Sequence, residues 1–229
     1  MGIGKQTVSH ERIVMSLETE LEHHLSRGLG DAVTARAFAT ILLEETLSWS
    51  PPLIAPEQIA TILAFTFGNR MLPNGNREPG PVNAALADIV ADLHQRTGAR
   101  IFAQWEVAAV LEGRVPSMLV TVINPARDAR DEPVYLSTTG VLEEIARLTA
   151  PQSLGRVGVV AFADHAYRCV ATARRLGFDA YAPAGMPLPN RYDPESGQAW
   201  CRERTAYLLH DVMIRITERR AAVVGAMRR

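Results

Sequence analysis

The sequence predicts an α/β fold, in which a parallel sheet of about five strands carries helices on both faces. Short apolar runs typical of buried strands alternate with amphipathic segments over most of the chain. The proline-rich stretch 48–58 (SWSPPLIAPEQ) interrupts this chain after two helical segments, and it cannot continue a helix. We therefore expect a helical extension over residues 1–55 and an α/β domain over 56–229.

The extension contains two predicted helices, 8–28 and 31–47. Leu17 and Leu21 belong to a set of apolar residues spaced by four in the first, and Asp31 is a candidate N-cap of the second. An apolar stripe on such helices must be covered, so we expect the extension to dock a partner or a second copy of the chain. This homodimer or partner role is the basis of one functional hypothesis, a non-catalytic regulatory or interaction module.

The rest of the chain alternates regularly between the two kinds of segment. The predicted strands are 59–68, 99–104, 116–123, 155–163 and 178–183, with a short extended piece at 133–137. The predicted helices are 82–98, 105–113, 138–150, 164–177 and 197–220. Strands that alternate with helices predict right-handed crossovers and a parallel sheet.

Composition excludes several classes of function. The 229 residues carry a net charge of −1, which gives no overall basic field to attract nucleic acid or an anionic membrane. No apolar run is long enough to span a membrane, and the first residues do not resemble a signal peptide, so we expect a cytoplasmic protein. The two cysteines cannot form a disulfide framework, and the adjacent His23 and His24 point in different directions, so we expect no metal site.

No glycine-rich dinucleotide motif, phosphate-binding loop or nucleophile elbow occurs in the sequence. Polar residues instead follow the predicted strands, where the carboxyl ends of a parallel sheet bring distant residues together. The candidates are Gly68, Asn69, Arg70, Gln104, Glu106, Thr138, Thr139, Asp164, His165 and Arg168. Such a set can be drawn from any α/β protein, so each residue also has a structural interpretation.

The segment 164–168 is the most informative of these. His165 and Arg168 are three residues apart and share one face of a first helical turn, where free N–H groups favour an anion. Asp164 can instead cap that helix, and His165 can be a capping or packing residue. We expect a small-molecule ligand with an anionic or nucleotide-like group, which includes a nucleotide or an S-adenosylmethionine-like molecule.

If the protein is an enzyme, His165 is the expected proton-transfer group, because the ordinary pKa of histidine is near neutral pH. Glu106 is its expected carboxylate partner, and Arg168 would hold an anionic group of the substrate. These residue types suit hydrolysis or transfer at a phosphate-like or carboxyl centre, and also eliminations or ring closures. No serine or cysteine lies in a nucleophile motif, so no covalent intermediate is expected.

The stretch 157–183 (VGVVAFADHAYRCVATARRLGFDAYAP) resembles the signature of the YdcF/SanA/ElyC-like family, a domain of unknown function common in bacteria. His165 and Arg168 match its H-x-x-R, and Asp164 stands one place later than the usual aspartate. Weaker similarities extend the resemblance over about residues 60–215 and place Glu203 at an acidic position of the closing helix.

This resemblance implies a Rossmann-like sheet with a pocket along its carboxyl edge, and it makes residues 56–229 a YdcF-like domain. The chain departs from the family pattern at its turns. The glycine-rich turn after the first strand is reduced to Gly68 and Asn69, the bulky Trp105 replaces a small residue, and Thr138 replaces an asparagine. The chain is therefore expected to be either a divergent member with a new ligand or a member that has lost the family's original activity.

Overall fold

The computed structural model describes residues 4–126, 134 and 136–227, with side chains from Leu17 onward. Its contacts divide the chain into two compact units. One, the helical unit, contains the chain up to Ser48 together with residues from Val212 onward, and the other, the sheet unit, is Trp49–Asp211. Of the predicted extended piece 133–137, residues 133 and 135 lie outside the described residues, and the other three form no regular secondary structure.

The helical unit contains helices α1 (Gly4–Leu29) and α2 (Ala32–Leu42), and a π-helical turn, Leu43–Leu47, continues α2. Asp31 caps α2, because its carboxylate accepts hydrogen bonds from the amides of Val33 and Thr34 at 2.9 and 3.2 Å. The closing helix α7 (Arg204–Ala226) ends in this unit, where the buried Arg215 donates to the carbonyl of Ser48 at 2.7 Å. The predicted helical extension is confirmed.

The sheet unit is built on six parallel strands in the order β1-β8-β7-β2-β5-β6. The strands are β1 (Leu53–Ile54), β2 (Thr61–Ala64), β5 (Arg100–Gln104), β6 (Val120–Ile123), β7 (Arg156–Val160) and β8 (Asp179–Pro183), and a separate antiparallel hairpin pairs β3 (Arg70–Met71) with β4 (Arg77–Glu78). The flanking helices are α3 (Gly80–Thr97), α4 (Trp105–Leu111), α5 (Thr138–Thr149), α6 (Ala163–Arg175) and α7. The predicted α/β class and the five predicted strands are confirmed.

The sixth strand, β1, corrects the expectation of about five strands. Leu53 and Ile54 lie in the stretch that the sequence predicts to be only a proline-rich joint, yet they pair with β8 at the sheet edge. The carbonyls of Pro52 and Ile54 accept hydrogen bonds from Ala182 and Ala184 at 2.9 and 2.8 Å. Proline fits here because an edge strand can contribute carbonyls on its paired side without needing an N–H from the proline.

Two apolar cores form on the two faces of the sheet, because side chains of a strand alternate between faces. On β2, Ile62 belongs to one core with Leu86 of α3, and Leu63 belongs to the other with Leu142 of α5. These side chains are fully buried, and each contributes roughly 1.5–3 kcal/mol through removal from water. Both faces are thus closed by helices, and the carboxyl edge of the central strands is left for the loops.

Candidate functional site

A cavity of about 240 Å³ lies where β2, β5 and β6 end, within the sheet unit. Five of the residues predicted from the sequence line it: Asn69, Gln104, Glu106, Thr138 and His165. They come from four separate stretches of the chain, and the parallel order of the strands brings them to one edge. Half of the ten residues predicted from the sequence therefore come together at one cavity, as expected for a ligand site.

Glu106, in the first turn of α4, is the most unusual group in this cavity. Its side chain is buried, with only 5% of the residue exposed, and its Oε1 accepts a hydrogen bond from Asn69 Nδ2 at 3.3 Å. Its Oε2 has no hydrogen-bond partner among the described residues. Burial raises the pKa of the Glu106 carboxyl, although the main-chain amide of Glu106, the side chains of Asn69 and Thr66, and the positive charge of Arg77 act in the opposite direction.

A fully buried asparagine, Asn83 of α3, fixes the backbone that carries Asn69. Its Nδ2 donates to the carbonyls of Gly68 and Pro79 at 2.7 and 2.6 Å, and its Oδ1 accepts from the amide of Phe67 at 2.9 Å. Gly68 has a φ of +70°, and a side chain there would collide with Ser196, so only glycine fits this turn. Sequence reasoning missed Asn83, although a lone amide inside the apolar face of a predicted helix is the signal that could have revealed it.

Gln104, the last residue of β5, continues this scaffold. Its Oε1 accepts a hydrogen bond from the amide of Thr66 at 3.0 Å, which ties the end of β5 to the segment that follows β2. Thr66 lines the cavity too, and its hydroxyl donates to Asn83 Oδ1 at 2.8 Å. Hydrogen bonds to main-chain and side-chain amide groups of the protein therefore hold the polar groups around Glu106 in place without a ligand.

His165 reaches the cavity from the first turn of α6. The residue is 6% exposed, its ring contacts those of Phe65, Phe67 and Tyr207, and its Nδ1 lies 3.8 Å from Asp211 Oδ1, too far for a hydrogen bond. Burial and the nearby Arg168 guanidinium lower the pKa of His165 to about 4. The imidazole is consequently uncharged at pH 7, and it can take part in proton transfer from that uncharged form.

Arg168 does not line the cavity but belongs to what we call the internal ion cluster: Arg168, Asp211, Thr138 and Tyr207. Its Nε donates to Asp211 at 2.5 Å, and its Nη1 donates to the hydroxyl of Thr138 at 2.9 Å. Tyr207 donates to the same Asp211 oxygen at 3.1 Å. Burial alone would raise the pKa of Asp211, but the Arg168 guanidinium and the neighbouring imidazole hold it well below its usual value.

The sequence does not reveal Asp211 as a site residue, and the resemblance points to Glu203 as the acidic position of the closing helix. Glu203 is exposed and caps that helix by accepting from the amides of Thr205 and Ala206 at 3.3 and 2.6 Å. Asp211 is fully buried and is the carboxylate that neutralises Arg168. Two helical turns separate them, and only the packing of α7 shows which one faces inward.

Arg70 and Asp164 are also engaged by other side chains. Arg70 forms a bidentate pair with Asp193 at 2.8 and 2.9 Å and a second pair with Glu195 at 2.8 Å. Asp164 accepts from Tyr192 at 2.7 Å and from Arg204 at 3.0 Å. It does not cap α6, whose N-cap residue is Phe162, so the capping interpretation of Asp164 is wrong. Neither side chain lines the cavity, and the same holds for Gly68 and Thr139.

Several lining residues were not predicted, and two of them come from the hairpin. Met71 of β3 lies opposite Arg77 of β4, and both line the cavity. The Arg70–Asp193 pair anchors this hairpin, so Arg70 positions the strand that carries Arg77 close to Glu106. The sequence shows only a loop rich in glycine and asparagine here, and nothing in its pattern places Arg77 at the site.

A second, larger cavity of about 970 Å³ lies between α4 and β6 and is lined chiefly by apolar side chains. Its charged members include Glu112 and Arg114, and Arg114 pairs with Asp88 at 2.7 Å. Among the described residues that line it, no enclosed polar side-chain atom is without a partner. Size alone therefore favours this cavity, whereas the chemistry favours the smaller one, and reactive groups matter more for catalysis.

Comparison of the chain with protein-family models, with curated proteins and with solved structures finds no match. Within the described ranges, no helix is long and apolar enough to cross a membrane. In the same part of the chain, no three histidine, cysteine, aspartate or glutamate side chains are grouped so that they could hold a metal ion. What the protein does must therefore be argued from the cavity itself.

Proposed function

We propose that the protein binds a small polar metabolite in the cavity around Glu106 and acts on it by proton transfer. The observation that carries this proposal is the enclosed Glu106 Oε2, an atom of a cavity-lining residue that has no hydrogen-bond partner among the described residues. An unpaired buried oxygen costs roughly 1–3 kcal/mol, and proteins retain such a cost where a ligand supplies the missing partner. Burial raises the pKa of Glu106, which supports a role as proton donor and acceptor.

In this proposal Glu106 and His165 divide the work. A proton would leave the bound ligand for the Glu106 carboxylate and return to the product from the carboxylic acid. Neutral His165 would hold a hydroxyl or carbonyl oxygen of the ligand, where a low pKa keeps the imidazole uncharged. Thr138 connects the two regions, because it lines the cavity and also accepts from Arg168.

The size of the cavity supports a small ligand. A volume of about 240 Å³ corresponds to roughly eight water molecules at about 30 Å³ each. Sites for drug-sized ligands occupy about 300–1,000 Å³, so a nucleotide or an S-adenosylmethionine-like molecule would place only part of its structure here. A metabolite of a few carbons fits the enclosed space better than the nucleotide-like ligand expected from the sequence.

The experiment is a search for the ligand in a deproteinised cell extract. The purified protein is incubated with the extract, and mass spectrometry then records which metabolite is bound or consumed. We expect one such metabolite, and we expect Glu106→Gln and His165→Gln each to slow its consumption by about 10²-fold or more. Glu112→Gln, at an exposed carboxylate that directly follows the last residue of the same short helix, is the matched control.

Two outcomes would overturn the proposal. The first is an extract in which nothing is bound or consumed, and the second is a turnover that neither cavity variant reduces. Circular dichroism and urea unfolding of each variant separate a loss of activity from a loss of folding.

Membership of the YdcF/SanA/ElyC-like family is part of the same proposal, supported by the arrangement of His165 at the carboxyl edge of a parallel sheet. The buried position of Arg168 and its pairing with Asp211 suggest that these two residues stabilise the site without lining the cavity. A cytoplasmic setting is also proposed, since both cysteines, Cys169 and Cys201, are buried free thiols and the chain builds its stability without a disulfide between them.

A second candidate function is self-association through the helical unit. On α2, Val33 is 82% exposed and Phe38 is 42% exposed. A second copy of the chain would cover them. Sedimentation velocity of the protein and of Val33→Asp tests this: a dimer that becomes a monomer in the variant supports it, and a monomer in both removes it.

A further inference from the structure

We infer that the ligand is a small carboxylic acid that carries a hydroxyl or carbonyl oxygen, with its carboxylate paired to Arg77 and that oxygen at Glu106. This inference rests on the proposed function and adds the chemical class of the substrate. It depends on which cations around the cavity have already been neutralised, and on where the remaining positive charge lies.

The two arginines that the sequence offers for an anion are both occupied. Arg70 binds Asp193 and Glu195, and Arg168 binds Asp211, so each guanidinium is already paired with at least one carboxylate. Neither reaches the cavity. A ligand anion would have to displace these contacts, and breaking the buried Arg168–Asp211 pair is strongly unfavourable.

Arg77 differs from both. It lines the cavity and is exposed, and it forms no ion pair within the part of the chain that the structure describes. Its position is set by the hairpin, because it pairs with Met71, next to the anchored Arg70. It is the cation that a negatively charged ligand can approach without breaking an existing contact.

The start of α6 adds little further attraction for an anion. The amide of Ala163 donates to the carbonyl of Pro189, and that of His165 donates to Phe162, both at 2.8 Å. With these two amides used, the start of α6 offers little, and Arg77 is the only arginine or lysine among the described residues that line the cavity. A single arginine suits a carboxylate, which it can bind through two parallel hydrogen bonds, better than the greater charge of a phosphate.

The opposite end of the cavity requires a different group. A second carboxylate next to Glu106 would meet a buried acid, and like charges in such a place repel strongly. A hydroxyl can instead donate to Glu106 Oε2, and a carbonyl oxygen can accept from the same atom when the acid is protonated. The volume of about 240 Å³ leaves room for a short carbon chain between the two ends.

The test measures direct binding, independent of turnover. Trp105 lines both this cavity and the larger one, so its fluorescence reports occupancy of either, and the Arg77 and Arg114 variants assign the signal to one of them. The Trp105→Phe protein identifies the share of the signal that comes from Trp105. The probes are the three- to six-carbon hydroxy and oxo carboxylic acids, their neutral amides, and the corresponding sugar-alcohol phosphates, each titrated to about 10 mM, above the usual range of metabolite KM values. We expect saturable binding of at least one carboxylate. Its neutral amide should bind with an affinity lower by about tenfold or more.

Arg77→Gln should weaken that carboxylate by about 10-fold to 100-fold and leave its amide unchanged. Arg114→Gln removes the same charge at the larger cavity and should change neither. Glu106→Gln should weaken the hydroxy acid without weakening its deoxy analogue.

Equal binding of acid and amide, stronger binding of the phosphates, or an unchanged affinity in Arg77→Gln would each overturn the inference. In those cases the proposed function would still hold if the amides or phosphates bind and if Glu106→Gln weakens that binding. If no probe of any class alters the Trp105 signal, the inference falls, and the extract experiment decides the proposed function separately.

Discussion

The internal ion cluster and the cavity next to it use buried charge in opposite ways. In the cluster, Arg168 and Asp211 satisfy one another and are supported by Thr138 and Tyr207. At the cavity, Glu106 keeps an oxygen that has no hydrogen-bond partner in the part of the chain that the structure describes. Glu106, Arg168 and Asp211 are all buried, so burial alone does not distinguish the two regions. The comparison teaches that a saturated buried charge indicates structure, whereas an unsaturated one beside a cavity indicates a ligand.

The largest expected effect comes from breaking the cluster. Arg168→Met should lower the free energy of unfolding by about 3–5 kcal/mol, because Asp211 then keeps a buried charge without its cation. Urea unfolding followed by circular dichroism measures it. Arg114→Met, which breaks the exposed pair with Asp88, should cost no more than about 1 kcal/mol. A loss at Arg168 as small as that of the control would show that the cluster does not stabilise the fold.

The second effect is a pH dependence that His165 imposes. The pKa of His165 is about 4 in the folded protein and about 6.5 in the unfolded chain. Between these values the unfolded chain binds the proton first, so stability falls as the pH is lowered from 6.5 towards 4, by about 3 kcal/mol in all.

His165→Gln should remove this contribution, so that the fall in stability between pH 6.5 and 4 is smaller by about 3 kcal/mol in the variant than in the unmodified protein. Urea unfolding at half-unit pH steps, compared with His23→Gln at an exposed position, gives the difference directly. Identical slopes in His165→Gln and the unmodified protein would mean that the imidazole titrates normally in the fold.

The third expected effect is a gain in stability. Glu106→Gln should raise the free energy of unfolding by about 1 kcal/mol at pH 8, because the unpaired buried carboxylate is gone. Since the pKa of Glu106 is raised in the fold, the unfolded chain ionises first as the pH rises above about 4.5, and stability falls with it. The gain should therefore vanish near pH 4. Glu112→Gln should show no such pH-dependent gain, and a destabilised Glu106→Gln protein would argue for a structural carboxylate.

The smallest effect on stability belongs to Arg77. Its exposed side chain forms no ion pair within the described residues, so Arg77→Gln should change the free energy of unfolding by less than about 0.5 kcal/mol. The same variant should lose most carboxylate binding in the Trp105 assay. A large loss of stability would instead show that Arg77 supports the hairpin.

Much of this architecture could be predicted because it depends on local patterns. The apolar runs at 59–68 and 99–104 contain β2 and β5, and Gly98 ends α3 in a left-handed conformation, as a helix stop signal requires. Strand ends then predict that residues such as Asn69 and His165 meet at one edge, since parallel pairing leaves no other arrangement. The edge strand β1 was missed because two residues beside prolines carry no periodic signal.

By itself, the sequence determined the fold class, the helical extension and the edge of the sheet at which the polar residues collect. Tertiary structure alone decided which of those residues are free to meet a ligand. Arg70, Arg77 and Arg168 are the same residue type in the sequence, yet two are paired with carboxylates from distant segments and one faces the cavity. Pairing depends on distances of a few ångströms between residues far apart in the chain, and no local pattern encodes those distances.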